Sequence, residues 1–261
     1  MLNELQLNSV YDSADYNLIE DLIVPLLRNS VEYYRGVGYF TSGWLANAAE
    51  GVIGLIENGG WARFVVSPIL NEEDLEAFKK GDQAKHDEKL RDVLETQVSD
   101  LRQSMHTDTL NALAWLVADG VLEFKIAVPQ LSETGDFHDK VGVFTDEGGN
   151  QVAIHGSFND TFRGSLNGEA FSVFASWIPG QSTYVHQHRS RLVSLWKSGN
   201  RQFKVYDLPK AIAEQISDLR TTNAPPYRSK RSSKESKRKE ERSDTQSPIS
   251  LRPYQEKAIA A

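Results

Sequence analysis

Four residues in a short stretch have the chemistry of phosphodiester cleavage. His138 and Lys140 stand in His-Asp-Lys-Val-Gly-Val-Phe-Thr-Asp (138–146). Ser157 and Asn159 stand in Gly-Ser-Phe-Asn (156–159), and Asn-Gly-Glu follows at 167–169. A phosphodiester is anionic and repels a nucleophile. The Lys140 ammonium can neutralise its non-bridging oxygens, and the Ser157 hydroxyl and Asn159 carboxamide can donate hydrogen bonds to them. A neutral His138 imidazole can attack phosphorus and form a phosphohistidine. A second, protonated imidazole must then protonate the leaving oxygen, and water activated by that group resolves the intermediate. The scheme requires no metal.

These side chains need a scaffold that presents them together, and the local pattern predicts one. Side chains alternate along a strand, so a strand over 138–146 places His138 and Lys140 on one face. Val141, Val143 and Phe144 suit its burial. A second strand, Gln151–His155, follows the turn-forming run Asp146-Glu-Gly-Gly-Asn150, which predicts a hairpin. Upstream, 16–29 reads as a helix bent or bounded at Pro25, and Tyr33–Phe40 as an aromatic-rich strand. Tyr33, Tyr34, Tyr39 and Phe40 read as core. Ser42 is placed to cap a helix over 43–57 that closes near Asn58-Gly59-Gly60. Ala62–Val66 is a short strand. Residues 72–104 and 108–119 are helical by pattern, the latter with Leu110, Leu113, Ala114 and Leu116 on one face, and Gly120 closes it. Val121–Val128, Ala170–Ile178 and Phe203–Tyr206 read as strands, and Ser182–Ser198 as a helix. Strands separated by helices and followed by a hairpin predict a mixed α/β fold.

The motifs resemble those of the phospholipase D superfamily: H-x-K, then an Asp, then G-S-x-N, with a later Glu. The wording is closest to the single-motif nuclease branch, over about thirty residues. The resemblance implies a mixed β-sheet flanked by helices, with Asp146 and Gly156 as structural positions. One departure is visible. The family's Asp follows the Lys after four residues, where this chain has Thr145, and Asp146 comes one later. Glu169 matches the late Glu, which implies that it orients His138 and holds its tautomer. No second H-x-K or G-S-x-N occurs, and His86, His106, His186 and His188 stand outside any copy. One motif per chain implies a homodimer, with His138 and Lys140 of both chains in one groove about a two-fold axis. Arg163, just after the motif, is a candidate DNA contact. No cofactor is implied for this part of the chain.

Composition bounds the alternatives. The chain has 261 residues with 39% hydrophobic and 25% charged, a soluble globular balance. It has no cysteine, which excludes disulfides and thiolate metal sites. No apolar run approaches a membrane span, and the first residues lack a signal-peptide pattern. Those features predict a cytoplasmic protein that does not engage membranes. Net charge is −7 but uneven, since 227–242 holds eight Lys/Arg against three Glu. Residues 220–248 read as a flexible charged linker whose basic cluster also suits phosphate contact. The expected domains are therefore 1–219 as the nuclease-like unit, then this linker, then 249–261. In the last, Leu-Arg-Pro-Tyr-Gln-Glu-Lys-Ala-Ile (251–259) resembles the Q-motif entry of superfamily 2 helicases, read as the truncated start of such a domain. By that resemblance Gln255 contacts adenine, and ATP and Mg serve a motor in the intact protein. The chain has no G-x-x-x-x-G-K-[S/T] loop, so it is not an ATPase by itself.

Three function classes fit to different degrees. The first is a metal-independent DNA endonuclease joined to an ATP-driven helicase or translocase, resembling ATP-dependent restriction enzymes and serving defence against foreign DNA. The second is a lipid phosphodiesterase or phosphatidyltransferase, for which two motifs per chain and a membrane-binding element are expected and missing. The third is a non-catalytic module that positions DNA, against which His138 and Lys140 stand intact. His155 reads as a packing or surface residue. His186 and His188 face apart on a helix and make a poor metal pair.

Overall fold

The structure, a computed structural model, describes residues 1–38, 48–67, 107–130, 135–158, 168–207, 215–216 and 218–227. Several expectations lie outside them: the Ser42 cap, Tyr39 and Phe40, the helix over 72–104, Asn159, Arg163 and Gln255.

Eight strands and four α-helices are described. They are β1 (Val10–Asp12), α1 (Val24–Arg28), β2 (Glu32–Val37), α2 (Ala49–Glu57), β3 (Trp61–Val66), α3 (Thr107–Ala118), β4 (Leu122–Pro129), β5 (Lys140–Thr145), β6 (Gln151–Gly156), β7 (Ala170–Ala175), α4 (Ser182–Ser198) and β8 (Phe203–Asp207). The strands form one sheet in the order β1-β7-β6-β5-β2-β3-β4-β8. Only β2–β3 and β3–β4 are parallel. Parallel neighbours need a crossover, and α2 and α3 lie in those two connections. The remaining pairs are antiparallel.

Alternation along the strands divides the sheet into two apolar faces. On one, Tyr33, Phe64, Phe144, Ile154 and Phe171 pack with residues of α1, α2 and α3. Tyr33 stacks on Phe144 at 4.3 Å between ring centroids. Burying each such side chain contributes roughly 1.5–3 kcal/mol. On the other face, Tyr34, Val65, Val141, Val143 and Ala153 pack under α4. That helix buries Val185, Leu192, Leu195 and Trp196, a spacing that keeps them on one side.

The segment read as one helix over 16–29 changes pitch. Leu18–Ile23 is a π-helical turn that runs into α1. Pro25 explains the change. It has no N–H, and in an α-helix its ring clashes with the carbonyl four residues back. A wider turn relieves the crowding, and the Val24 N–H bonds five residues back to Ile19. Asn17 caps the segment, accepting from the Ile19 and Glu20 N–H groups. Strand β1 and the 3-10 turn Leu2–Glu4 are additions to the sequence reading.

The chain after Leu219 does not leave the fold at once. Buried Asn111 on α3 accepts from the Thr221 and Thr222 N–H groups. Tyr227 packs against the core and donates to Asp119 at 2.8 Å. Burial, then that bond, raises the Tyr227 phenol well above the ordinary tyrosine range. The first residues of the segment read as linker from 220 are thus held against α3. No described helix is long and apolar enough to cross a membrane.

Candidate active site

Register brings five strand ends to one end of the sheet. Lys140 opens β5 opposite Val37, the last residue of β2. Gly156 closes β6 opposite Phe171 of β7, and Ala170 opens β7 opposite Asp12, which ends β1. Lys140, Ser157 and Glu169 therefore meet although they come from three separate segments.

His138 lies just before β5 rather than in it. The first ladder residue of β5 is Lys140, opposite Val37 at the end of β2. The strand expected from residue 138 starts at Lys140, whose Nζ donates to the His138 carbonyl oxygen at 3.2 Å. The His138 side chain is exposed while Lys140 is buried, 7% accessible. Burial holds the Lys140 ammonium below the ordinary lysine range, and the charge of Arg35 adds to that effect. The carboxylates of Glu169 and Asp139 oppose it. An accessible imidazole thus stands beside a sequestered cation.

Ser157 and Glu169 are held by backbone contacts. The Ser157 N–H donates to the Ala170 carbonyl at 3.2 Å, and its Oγ accepts from the Ala170 N–H at 3.3 Å. Its own O–H remains available as a donor. Gly156 is required by this approach, since a Cβ there would collide with the Ala170 carbonyl oxygen. Glu169 is pinned on both sides of its backbone by Ser13: the Ser13 N–H donates to its carbonyl at 2.8 Å, and its N–H donates to Ser13 Oγ at 2.9 Å. Its carboxylate is close enough to favour the charged form of Lys140.

Two contributors escaped the sequence reading. Ser13 is one, at the end of the unexpected β1. Arg35 is the other, 1% accessible in the middle of β2. Its Nη2 donates to the Phe158 carbonyl at 3.0 Å, one residue beyond Ser157. Its guanidinium lies 5.6 Å from the centre of the Phe171 ring. The available signal was an arginine between Tyr33-Tyr34 and Gly36-Val37, in a strand otherwise suited to burial on both faces.

The remaining candidates fall elsewhere. Asp146 sits at the opposite end of β5. There it accepts from the Asn150 N–H at 2.8 Å, Asn150 Nδ2 at 2.9 Å and the Leu2 N–H at 3.0 Å. Asp139 points to the α4 side and pairs with Arg191 at 2.7 Å. On that side His155 meets His188 edge to face at 5.2 Å. Burial, then the neighbouring His155, keeps His188 below the usual histidine range. His186 is exposed. Among the described residues no three His, Asp or Glu side chains converge as a metal-binding group.

A cleft of about 1520 Å³ opens beside the site. Its described lining includes Ser13, Asn17, Glu20, Arg28, Glu50 and Phe158. It runs from Ser13 and Phe158 along the π-helical turn and α1.

No family model matches the chain, and no curated protein does. Among solved structures it is similar to Nuc, a phospholipase D family member from Salmonella typhimurium, at 13% identity and a TM-score of 0.42, covering 76% of this chain and 97% of that one. It is also similar to NucT from Helicobacter pylori, at 12% identity and a TM-score of 0.43, covering 77% and 99%. A third is the phosphatidylserine synthase of Haemophilus influenzae Rd KW20, at 13% identity and a TM-score of 0.45, where this chain covers 46% of the other's length and 82% of its own is matched.

Proposed function

We propose that the chain is a metal-independent phosphodiesterase of the phospholipase D type that cleaves DNA. The observation that carries the reading is the pairing of an exposed His138 with the buried, positively charged Lys140, with Glu169 and Ser157 brought to the same end of the sheet. Lys140 binds the non-bridging oxygens, and Ser157 and Asn159 donate to them. His138 attacks phosphorus, forming a phosphohistidine as the bond to the leaving oxygen breaks. That oxygen takes a proton from the second His138 of a homodimer, which then removes a proton from the attacking water. Glu169 orients the imidazole. In this reading the nuclease acts with an ATP-driven motor of the helicase type, in restriction of foreign DNA, and the resemblance of 251–259 to the Q-motif supports that coupling.

The test is plasmid cleavage by the purified chain in excess EDTA, beside His138→Ala, with the oligomer mass measured. Cutting that survives EDTA, disappears in the variant and comes from a dimer is the expected result. Cutting that depends on a divalent metal would sink the mechanism.

A further inference from the structure

The least expected charge in the described fold is Arg35. A guanidinium keeps its proton under all ordinary conditions, and burying a charge is costly without compensating contacts. This one is 1% accessible, on the same sheet face as Tyr33, Phe144 and Phe171. Its register partner is Gly142, which brings no side chain into the row. Its contact with the Phe158 carbonyl joins β2 to a segment 123 residues away. Phe158 directly follows Ser157, so the bond holds the backbone beside that proposed phosphate donor.

Arg35 also stands on the same sheet face as Lys140: Val37, the ladder partner of Lys140, lies two residues along β2 from Arg35, and side chains alternate along a strand. The groups whose charges bear on Lys140 are Arg35 from β2, Glu169 before β7 and Asp139 beside it in the chain. Two are carboxylates and one is a cation. Two neighbouring cations repel, and an anion placed at Lys140 lowers the energy of both. Arg35 thereby biases the site toward accepting a phosphate.

We propose that Arg35 is a positioning residue of this site, holding the Ser157–Phe158 segment through the Phe158 carbonyl and supplying, on the same sheet face as Lys140, the second cation of a phosphate-binding pair. This rests on the phosphodiesterase reading only for the chemistry that follows binding.

The test uses the full chain in EDTA, with inorganic phosphate as probe followed by phosphorus NMR, and isotope-labelled lysine to follow the titration of Lys140. In Arg35→Gln, phosphate affinity is expected to fall about tenfold to a hundredfold, the range for a lost contact to a charged group. The Lys140 titration should move to higher pH as the neighbouring charge is removed. In Arg35→Lys, which keeps the charge, both should stay near wild type while turnover falls because the segment is held less firmly. A purely structural arginine predicts no such split. A folded Arg35→Gln chain that binds phosphate like wild type overturns the proposal, as does a wild type that does not bind phosphate. Should Arg35→Gln not fold, Arg35→Lys decides: loss of phosphate binding in that folded variant overturns the proposal, and retained binding with a low Lys140 titration upholds it. Cleavage by wild type is scored separately. A wild type that binds phosphate through Arg35 without cutting refutes the nuclease reading alone, and cutting that ignores Arg35→Gln refutes this inference alone.

Discussion

The β5–β6 hairpin is assembled differently at its two ends. At the turn, Asp146 and Asn150 are four residues apart and bind each other twice. Gly149 supplies the positive φ of 82° that the reversal needs. The N-terminus then docks on this closed turn through the Leu2 N–H. At the open end the partners are remote. Arg35 reaches Phe158 across 123 positions, and Ser13 holds Glu169 across 156. The turn end buries a satisfied carboxylate, whereas the open end buries two cations beside an exposed imidazole. The difference separates a part that holds the hairpin in register from a part that sequesters charge beside an accessible imidazole.

The largest expected effect falls on the open end alone. His138→Ala should lower cleavage by about a thousandfold or more, the scale for a lost nucleophile. Because the side chain is exposed, thermal unfolding should be unchanged. Cleavage that persists would break the comparison by removing the chemistry from that end.

Gly156→Ala should follow. Its Cβ would drive into the Ala170 carbonyl, so about 3 kcal/mol of stability is expected to be lost from denaturant unfolding, together with most cleavage, because Ser157 moves. Asp146→Ala tests the other end. It strands three donors, including the buried Leu2 N–H, and should cost about 2 kcal/mol. Cleavage measured well below the melting transition should survive. If that folded variant is inactive, the two ends are not separate in function.

The smallest effect is a shift in pH dependence. The Glu169 carboxylate helps keep Lys140 protonated. Glu169→Gln should therefore move the Lys140 titration to lower pH, and the alkaline limb of the pH–rate profile with it. An unmoved limb would show that Lys140 does not act as the charged group. Stability supplies an independent sign. Between the depressed folded value of Lys140 and the ordinary lysine range, the unfolded chain binds more protons than the folded one. Stability should therefore rise with pH through that window from this residue, and Lys140→Met should remove the rise.

Much of the local architecture is legible from the residues in order. Helix α4 has the bounds its pattern predicts, Ser182–Ser198. The turn run at 146–150 produces the expected hairpin. These are short-range matters of periodicity, turn chemistry and capping, and the interactions that settle them lie within a few residues. The sequence spacing also offered His138, Lys140, Ser157 and Glu169 as candidates, and register brings Lys140, Ser157 and Glu169 to one end of the sheet.

What only the tertiary structure decided is partnership. Nothing in Val10-Tyr11-Asp12 announces a strand, because its ladder forms with β7, some 160 positions on. The pitch change at Leu18–Ile23 depends on how Pro25 is accommodated at the start of α1. His138 falls outside β5, whose first ladder residue, Lys140, pairs with Val37 of β2 more than a hundred positions earlier. Arg35 joined the site because β2 inserted beside β5, opposite Gly142. The residues of the chain determined which groups were available for chemistry, while pairing between distant segments determined which were buried, and burial sets the charge environment of Lys140.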